Sequence, residues 1–412
     1  MKNRDVRMRG FIERQEVDAV LALLHSRIRP LGVETVRLEE AYGRVLAEDV
    51  VSEIDVPHFA RAAVDGYAVQ ARETFGASSY NPIEFTLVGE VFPGSPFPQP
   101  LQKQQAVRIM TGAPLPPGAD AVVMAEYAEE RGGKVNIFQP ITPYRNVGRQ
   151  GEDIGKGEVV LRRGRRLRPQ DVGVLASIQH LTPRVWRRPT VALLITGNEL
   201  VKAGEERIEG TTKIVDSNSY VLWGLIEQYG GIPHRKGIIR DHYETIKRAM
   251  QEATEDVLLI TGGSSVGAED FAPLILSEIG ELLVHGVAMR PSSPTGLGFL
   301  EDRPVFLLPG NPVSAMVAFE AFVGPTLQMM QGLEPHSIYP RVEGVLKRKV
   351  TSAIGRVDYV RVRFVEGNLV EPLRVSGASI LSSTTRADGF IIVEKNSEGF
   401  DEGEKVEVYI YR

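Results

Sequence analysis

The stretch "ITGGSSVGAEDF", Ile260 to Phe271, decides the fold, because a glycine-rich turn here joins an apolar run, Val257 to Ile260, to a helical pattern, Phe271 to Ile279. A turn of this kind lets backbone N–H groups hold a phosphate. Glu269 and Asp270 follow the turn and would repel a bare phosphate. Three interpretations compete: the acids complement a helix dipole, a divalent metal lies between acid and phosphate, or the turn is a serine nucleophile elbow.

The same alternation of strand and helix extends on both sides of this stretch. Apolar runs such as "TVALLIT", "IPHRKGIIR" and "RPVFLL" are typical of strands, and "SYVLWGLIEQYG" and "DHYETIKRAMQEAT" of helices. An amphipathic helix is also expected from Glu16 to Ile28. The alternation predicts a doubly wound parallel sheet with helices on both faces. Ligands of such folds bind at the carboxyl ends of the strands, where turns at Thr196, Thr261 and Pro309 would converge.

The rest of the sequence differs in composition and in hydrophobic periodicity. Residues 53–147 are rich in Pro, Gly and short apolar runs such as "AVVMAEY" and "KVNIF", which predicts a β-rich domain. After Gly332, "YVRVRF" and "KVEVYIYR" alternate with period two, which predicts a small antiparallel sheet or barrel over residues 333–412. Residues 28–52 and 148–185, with a helix from Gln170 to Ser177, form a small mixed linking domain. The α/β domain then comprises residues 1–27 and 186–332.

Composition excludes several classes of function. The chain of 412 residues is 42% hydrophobic and 25% charged, as expected of an ordinary soluble protein, and its net charge of −5 argues against a general nucleic-acid binder. It has no run of 18 apolar residues, so no membrane span is expected. The N-terminus is basic and lacks the apolar core of a secretory signal, which favours a cytoplasmic protein. With no Cys and seven scattered His, any metal would be held by oxygen.

A second turn supports the phosphate interpretation. In "LLPGNPVSAM", Asn311 can cap a helix and Pro312 suits its first position, so this helix N-terminus also faces the ligand crevice. Each N-terminus carries roughly half a positive charge. The alternative is that both are ordinary strand-to-helix turns. The candidate phosphate-binding residues are those of the two turns: Gly262, Gly263, Ser264, Ser265, Gly267, Pro309, Gly310 and Asn311.

Three acids are predicted to face the same crevice. Asp270 is expected in the first turn of its helix, where an acid gains about 0.3–1 kcal/mol, and Asp241 at an N-cap, worth about 1 kcal/mol. Each could therefore be structural. Glu199 in "TGNEL" also follows a strand. Three convergent acids beside a phosphate site indicate Mg²⁺ bridging carboxylate and phosphate oxygens.

Two other motifs compete with this interpretation. Gly263 to Gly267 matches G-x-S-x-G, with Ser265 as nucleophile and Asp302 and His336 downstream, which would indicate a serine hydrolase; the five-residue match is common by chance. The basic run "LRRGRRLRP", Leu161 to Pro169, is expected to be a solvated loop or strand face, with an anion-guiding surface as the alternative.

Several long motifs resemble the molybdopterin molybdenumtransferase family, which includes the E domain of gephyrin, over essentially the whole chain. The resemblance rests on "FARAAVDGYA", "RIMTGAPLPPGADAVVMAE", "RNVGRQGEDI", "TGNEL", "DSNS", "GGSSVGAEDF", "LPGNPVSA" and "LSSTTRADGF", in that order. It implies a molybdopterin-binding-like α/β domain within a four-domain subunit of a homodimer, and an active-site cleft between subunits.

The resemblance also implies an activity. Such an enzyme takes adenylylated molybdopterin and molybdate, or the analogue tungstate, and forms the molybdenum cofactor with release of AMP, assisted by Mg²⁺. A molybdopterin adenylyltransferase that supplies the substrate is an expected partner, and no nucleic acid or membrane is. The family's site positions appear here as Asp65, Thr111, Asp153, Asp241 and Arg290 for catalysis, Glu199 and Asp270 for the metal, and Arg361 and Ser382 as oxyanion contacts.

Two departures from the family pattern affect this reading. Where the family reads F-D-x-S-A-M-D-G-Y-A, this chain has Ala60, Ala62 and Val64, although Asp65 is kept. The basic R/K-P-G-K-P becomes "RPSSP", with Ser293 in place of the second cation. A serine cannot supply the charge of a lysine beside an oxyanion. The alternative function is therefore a non-catalytic pterin-binding or scaffold protein that has lost turnover.

Overall fold

A computed structural model describes residues 14–205, 208–262, 270–373 and 380–411 of the chain. These residues belong to two compact units. The first comprises Met1–Glu34, Gly43–Val45 and Trp186–Arg412, and the second Thr35–Tyr42 and Leu46–Val185. The short strands Val33–Thr35 and Arg184–Trp186 cover positions where the chain passes from one unit to the other.

A six-stranded sheet forms the centre of the first unit. Four of its strands are parallel neighbours, as predicted, and the remaining two continue the sheet as antiparallel strands. The order across the sheet is Ile232–Ile239, Thr190–Thr196, Val257–Thr261, Arg303–Leu308, Gly296–Leu300 and Glu281–His285.

Helices cover both faces of this sheet, which confirms the doubly wound fold. One face packs against the helices Val17–Arg27 and Asn218–Gln228 and the helical run that begins at Pro312. The other face packs against Tyr243–Glu252 and Ala272–Ile279. The central strands are apolar throughout because the helices bury both of their faces.

The antiparallel strands Glu281–His285 and Gly296–Leu300 were not predicted from the sequence. The second contains two glycines, which weaken a strand pattern. The structure requires glycine at Gly298, because an added Cβ would lie 1.9 Å from the carbonyl oxygen of Glu281. The close pairing of the two strands therefore depends on a residue that reads as a loop signal.

The helical run Pro312–Met330 is long and apolar enough to cross a membrane by length and composition alone. It consists of the helix Pro312–Ala318, a π-helical segment Phe319–Val323 and the helix Gly324–Met330. Within the apolar window, 78% of the residues are buried inside the protein. It is therefore a core helix of the α/β domain.

A closed five-stranded barrel follows the α/β domain in the first unit, as the period-two pattern predicted. Its strands, in order around the barrel, are Val357–Glu366, Leu369–Pro372, Arg341–Leu346, Lys405–Ile410 and Gly389–Val393, which pairs again with the first. A short strand, Met289–Arg290, adds parallel to Val357–Glu366. Smaller elements of the first unit are the strand pairs Leu200–Val201 with Ile214–Val215 and Val350–Thr351 with Gly399–Phe400, and the helix Ser382–Thr385.

The second unit contains the predicted β-rich part. Its six-stranded sheet has the order Ala121–Met124, Gly66–Val69, Gln105–Ile109, Ile83–Val91, Lys134–Ile137 and Ala128–Arg131. Apolar clusters cover both faces of the sheet. A third cluster joins the helix Pro169–Ser177 to the strand pair Val50–Val51 and Val159–Leu161. The other elements of this unit are Leu38–Glu40, Arg61–Ala62, Ala71–Thr74, Ala125–Tyr127 and Val147–Gly148.

The basic run Leu161 to Pro169 is partly neutralised by two nearby acids. Arg165 and Arg168 both bind the buried carboxylate of Asp171, at 2.9–3.2 Å. Arg162 and the backbone N–H of Arg163 bind Asp49. Burial opposes ionisation of Asp171, but the arginine hydrogen bonds outweigh it and hold its pKa well below the usual range. The run therefore stabilises the fold around the helix Pro169–Ser177.

We expect Asp171→Asn to lower the free energy of unfolding by about 2 kcal/mol, because the buried carboxylate accepts charged hydrogen bonds that an amide cannot replace. The difference between wild type and variant should be full above pH 4 and shrink as the pH falls below 3.8, the ordinary Asp value. Urea denaturation at several pH values measures it. Asp49→Asn, at an exposed arginine pair, is the control and should have a much smaller effect; equal effects would contradict the role given to Asp171.

Candidate active site

Three turns meet at the carboxyl ends of the parallel strands, as the sequence predicted. They follow Thr196, Thr261 and Leu308 in three strands that lie side by side. The Thr196 hydroxyl donates to the carbonyl oxygen of Thr261 at 3.3 Å. A Cβ added to Gly310 would lie 3.6 Å from the Cα of Gly262, so these two turns lie next to each other.

Position 262 requires glycine for two reasons, its backbone conformation and its close approach to a neighbouring strand. Its φ is +86°, in the left-handed region, and an added Cβ would lie 2.3 Å from the carbonyl oxygen of Thr196. Gly310 differs, because its φ lies outside the left-handed region and the nearest atom to an added Cβ would be 3.6 Å away. The turn after Val257–Thr261 therefore packs directly on the end of the neighbouring strand.

Asn218 fastens the third turn, a role that the sequence did not predict. Its Nδ2 donates to the carbonyl oxygen of Gly310 at 2.8 Å. Asp216 accepts from the N–H of Ser219 at 3.0 Å, in the first turn of the same helix. Both Asp216 and Asn218 are buried. Polar residues in a short "DSNS" run were a signal, but only the structure shows that Asn218 reaches a turn 92 residues away.

The prediction that Asp241 caps a helix is wrong. The helix is Tyr243–Glu252 and its N-cap residue is His242. Asp241 instead accepts from the N–H of Asn198 at 2.9 Å, and the Asn198 side chain accepts from the N–H of Asp241 at 3.2 Å. Asp241 is therefore bound to the "TGNEL" turn at the strand ends and does not cap the helix as predicted.

Asp270 is also displaced from its predicted position. The helix that follows it is Ala272–Ile279, with Phe271 as N-cap residue, so Asp270 precedes the first turn. Glu199 is exposed in the turn after Thr190–Thr196. Gly263, Ser264, Ser265 and Gly267, with Glu269, lie outside the described residues.

A preformed cluster of three acids is not found. Within residues 14–205, 208–262, 270–373 and 380–411, no group of three or more His, Cys, Asp or Glu side chains could hold a metal ion. A site built from the two predicted ligands, Glu199 and Asp270, is not tested by this result and stays a prediction, and Asp241 is held by Asn198. Carboxylate oxygens still suit Mg²⁺, which binds proteins through one or two carboxylates together with substrate phosphates.

The serine hydrolase interpretation disagrees with the topology. Asp302 lies in the hairpin turn between Gly296–Leu300 and Arg303–Leu308, at the amino end of the latter strand. The proposed elbow follows the carboxyl end of Val257–Thr261, which is parallel to Arg303–Leu308. Asp302 and the carboxyl end of Val257–Thr261 are thus at opposite ends of the parallel strands, whereas Ser265 lies outside the described residues.

Arg290 is bound to a buried acid. Its Nη2 lies 2.5 Å from Oδ2 of Asp358, which is fully buried. The Nε of Arg356 lies 2.9 Å from the other oxygen of the same carboxylate. Arg290 therefore shares one carboxylate with a second arginine, and the three groups together carry a single positive charge.

The serines of "RPSSP" have different environments. Ser292 occupies the position of the family's glycine and adopts φ +90°, where glycine is favoured. Its hydroxyl donates to the carbonyl oxygen of Ser314 at 2.5 Å, which offsets part of this cost. The hydroxyl of Ser293 is buried and makes no hydrogen bond to any described residue.

Asp65 and Thr111 are brought together in the second unit. Oδ1 of Asp65 accepts from the N–H of Thr111 at 2.7 Å and from its hydroxyl at 2.8 Å. The backbone bond, then the hydroxyl, lowers the pKa of Asp65 below its usual value. Asp153 is exposed, and its N–H donates to the carbonyl oxygen of Val56 at 3.1 Å.

Arg361 and Ser382 lie in the barrel part of the first unit. Ser382 is exposed at the start of the helix Ser382–Thr385. Arg361 is half-buried on the strand Val357–Glu366, and its Nε is buried without a hydrogen-bond partner among the described residues. Burial lowers the pKa of Arg361.

Comparison with known proteins gives three family matches in order along the chain. Residues 15–178 match the MoeA N-terminal region (domain I and II), residues 192–329 a probable molybdopterin binding domain, and residues 343–411 the MoeA C-terminal region (domain IV).

Whole-chain relatives agree with these matches. The chain is 38% identical over 393 residues to a putative molybdopterin biosynthesis protein of Methanocaldococcus jannaschii, covering 92% of each. It is 36% identical over 390 residues to the molybdopterin molybdenumtransferase of Bacillus subtilis, covering 92% of this chain and 90% of the relative. The crystal structure of a molybdopterin biosynthesis MoeA protein from Pyrococcus horikoshii is 36% identical, with a TM-score of 0.84 over 97% of this chain and all of the other.

We expect Gly262→Ala to lower the free energy of unfolding by about 2 kcal/mol or more, since alanine disfavours the left-handed region and its Cβ would overlap the Thr196 carbonyl. Gly310→Ala, the matched control, should change it by less than about 0.5 kcal/mol. Urea denaturation of both variants compares them. Similar losses in the two variants would show that the turns do not pack as described.

Proposed function

Because this chain belongs to the MoeA family of molybdopterin biosynthesis proteins, we propose that it is a molybdopterin molybdenumtransferase. It takes adenylylated molybdopterin and molybdate or tungstate, and releases AMP as it forms the molybdenum cofactor. The observation that carries this proposal is the position of the Gly262 and Gly310 turns next to each other at the carboxyl ends of the strands, within a fold shared over nearly the whole chain with such relatives.

The two turns suit a phosphoanhydride. Because Gly262 and Gly310 have no side chains, a ligand can approach their backbone atoms directly. A Cβ added to Gly310 would lie near Gly262 alone. Asn311 and Pro312 then begin a helical run whose free N–H groups favour an anion. Asn218 holds the carbonyl of Gly310 inward, which leaves the backbone of the turn fixed for the substrate.

The carboxylates at the carboxyl ends of the strands would have different roles. Glu199 and Asp270 would hold Mg²⁺, which would neutralise charge on the phosphoanhydride when bound. Asp241, held by Asn198, would orient the phosphoanhydride or an attacking oxygen. Asp65, Thr111 and Asp153 lie in the second unit and are proposed as catalytic residues through the family resemblance alone; hydrogen bonds from Thr111 lower the pKa of Asp65.

Arg290 is the cation proposed for the oxyanion. Its pairing with Asp358 reduces the positive charge available to molybdate or tungstate, and Ser293 adds none. We therefore propose weaker oxyanion binding than in family members that carry the lysine. The same two observations, the pairing of Arg290 with Asp358 and the lack of charge at Ser293, support the alternative function, a pterin-binding scaffold without turnover. Measuring AMP release from adenylylated molybdopterin with each oxyanion separates them, because the scaffold would bind the pterin nucleotide and release no AMP.

The proposal includes a cytoplasmic homodimer supplied by a molybdopterin adenylyltransferase. Sedimentation of the purified chain tests the dimer, and co-purification tests the second partner.

We expect Asp270→Asn to abolish Mg²⁺-dependent AMP release while leaving the melting temperature nearly unchanged, because the variant loses a metal ligand outside any helix. Asp302→Asn is the matched control. Asp302 is an exposed acid at the amino end of the strand Arg303–Leu308, and its variant should keep activity within about twofold. AMP is quantified at several Mg²⁺ concentrations. Full activity of Asp270→Asn would remove this residue from the metal site.

We expect Ser293→Lys to lower the half-saturating molybdate concentration about ten- to a hundredfold, since a charged hydrogen bond contributes about 1.5–3 kcal/mol. Ser293→Ala should leave it unchanged, because the hydroxyl makes no hydrogen bond to the described residues. The measurement is AMP release against molybdate concentration. If the lysine has no more effect than the alanine, "RPSSP" does not line the oxyanion site.

A further inference from the structure

Two arginines lie beside the buried carboxylate of Asp358, where the "RPSSP" segment meets the barrel. The short strand Met289–Arg290 pairs in parallel with Val357–Glu366, in a register that places Arg290 beside Asp358. Nη2 of Arg290 lies 2.5 Å from Oδ2 of Asp358. Arg356, just before the barrel strand, approaches the same carboxylate. We call Arg290 and Arg356 the arginine pair.

Asp358 keeps the arginine pair together. Its carboxylate is fully buried, and a buried carboxylate is stable only beside positive charge. Two guanidinium groups at such close range would repel each other without the carboxylate between them. Because one negative charge lies between two positive ones, the group retains a single positive charge. It can therefore attract an anion.

The guanidinium groups of the arginine pair are partly open to solvent and have donors to spare. The Arg290 side chain is 52% exposed and that of Arg356 is 32% exposed. Nη2 of Arg356 donates to Oδ2 of Asp358 at 3.4 Å, which is a long hydrogen bond. Its Nε lies 2.9 Å from Oδ1 but makes no aligned hydrogen bond to any described residue. Since a guanidinium has five N–H donors, Arg356 can also donate to a ligand.

The segment that carries Arg290 is fastened to the proposed phosphate site. The hydroxyl of Ser292 donates to the carbonyl oxygen of Ser314 at 2.5 Å, and both serines are buried. Ser314 is the third residue of the helix Pro312–Ala318, which begins directly after the Gly310 turn. An anion held by the arginine pair would therefore lie on a segment anchored to the helix start that is proposed to face the phosphoanhydride.

We propose that Arg356 is a second oxyanion-binding residue, which together with Arg290 supplies two cations to molybdate or tungstate, and that Asp358 positions both. This inference rests on the proposed function, because that function supplies the oxyanion. The family pattern has its second cation at the position of Ser293, and here the barrel supplies one from Arg356. A tetrahedral dianion has several acceptor oxygens, so it can accept charged hydrogen bonds from two guanidinium groups at once.

The test measures AMP release from adenylylated molybdopterin against molybdate concentration. We expect Arg356→Gln to raise the half-saturating molybdate concentration on the order of tenfold, the loss of one charged hydrogen bond, with the rate at saturating molybdate kept within about twofold. Arg356→Lys should recover part of this loss, because it keeps the charge but not the planar fork. Asp358→Asn should also raise the half-saturating concentration, although it adds a positive charge, because both arginines lose the carboxylate that orients them.

The barrel contains a matched control. Glu371 is a buried acid that pairs with Arg348 and, at 3.1 Å, with Arg363. The Arg363 side chain is 52% exposed, like that of Arg290. Arg363→Gln therefore removes one arginine from a similar group, and it should leave the molybdate dependence unchanged. Melting curves establish that each variant is folded, and calorimetric titration with tungstate, without the pterin nucleotide, measures oxyanion binding apart from turnover.

Different results separate this inference from the proposed function. If wild type releases AMP and Arg356→Gln responds to molybdate as wild type does, the inference fails and the function stands. If wild type releases no AMP but binds tungstate, and Arg356→Gln weakens that binding, the function fails and the inference stands. Wild type that does neither would overturn both.

Two further results would overturn parts of the proposal. If Arg356→Gln raises only the half-saturating concentration of the adenylylated pterin, the arginine pair contacts a substrate phosphate and not the oxyanion. If Asp358→Asn lowers the half-saturating molybdate concentration, Asp358 neutralises the arginine pair and does not position it.

Discussion

The structure of the proposed active site depends on one close contact, that of the Gly262 backbone with the carbonyl oxygen of Thr196. The contact leaves no room for a Cβ and holds the turn after one central strand on the end of its neighbour. The Gly310 turn lies next to Gly262, and Asn218 fastens it from the helix Asn218–Gln228. Three turns spread over more than a hundred residues of sequence thus form one surface because the parallel strands end together.

Charge is arranged so that most ionic groups stabilise the fold and few are left for a ligand. Asp171 accepts two arginines of the basic run, and Asp358 accepts Arg290 and Arg356. Motifs that appear in the sequence as concentrations of positive charge are therefore partly neutral in the structure. Arg361 differs from Arg290, because its Nε–H is buried without an acceptor among the described residues.

The sequence predicted the parts of the fold that periodicity controls. The parallel strands, the flanking helices and the barrel strands follow from buried apolar runs and period-two alternation. It did not predict the hairpin through Gly298, whose glycine is needed for strand pairing. It placed Asp241 and Asp270 in helix caps and first turns, because local propensity cannot show that Asn198 binds Asp241. The roles of Asn218 and Asp358 depend on contacts with Gly310 and Arg290, far away in sequence, which no local pattern reveals.

The central claim is that the turns at the carboxyl ends of the strands bind the phosphoanhydride of an adenylylated pterin. A crystal structure of the chain with adenylylated molybdopterin, in the absence of oxyanion, tests it most directly. The account predicts that the two phosphates lie against the backbone of the Gly262 and Gly310 turns, in front of the helix that begins at Pro312. Phosphates bound at any other surface of the α/β domain, with these turns unoccupied, would contradict it.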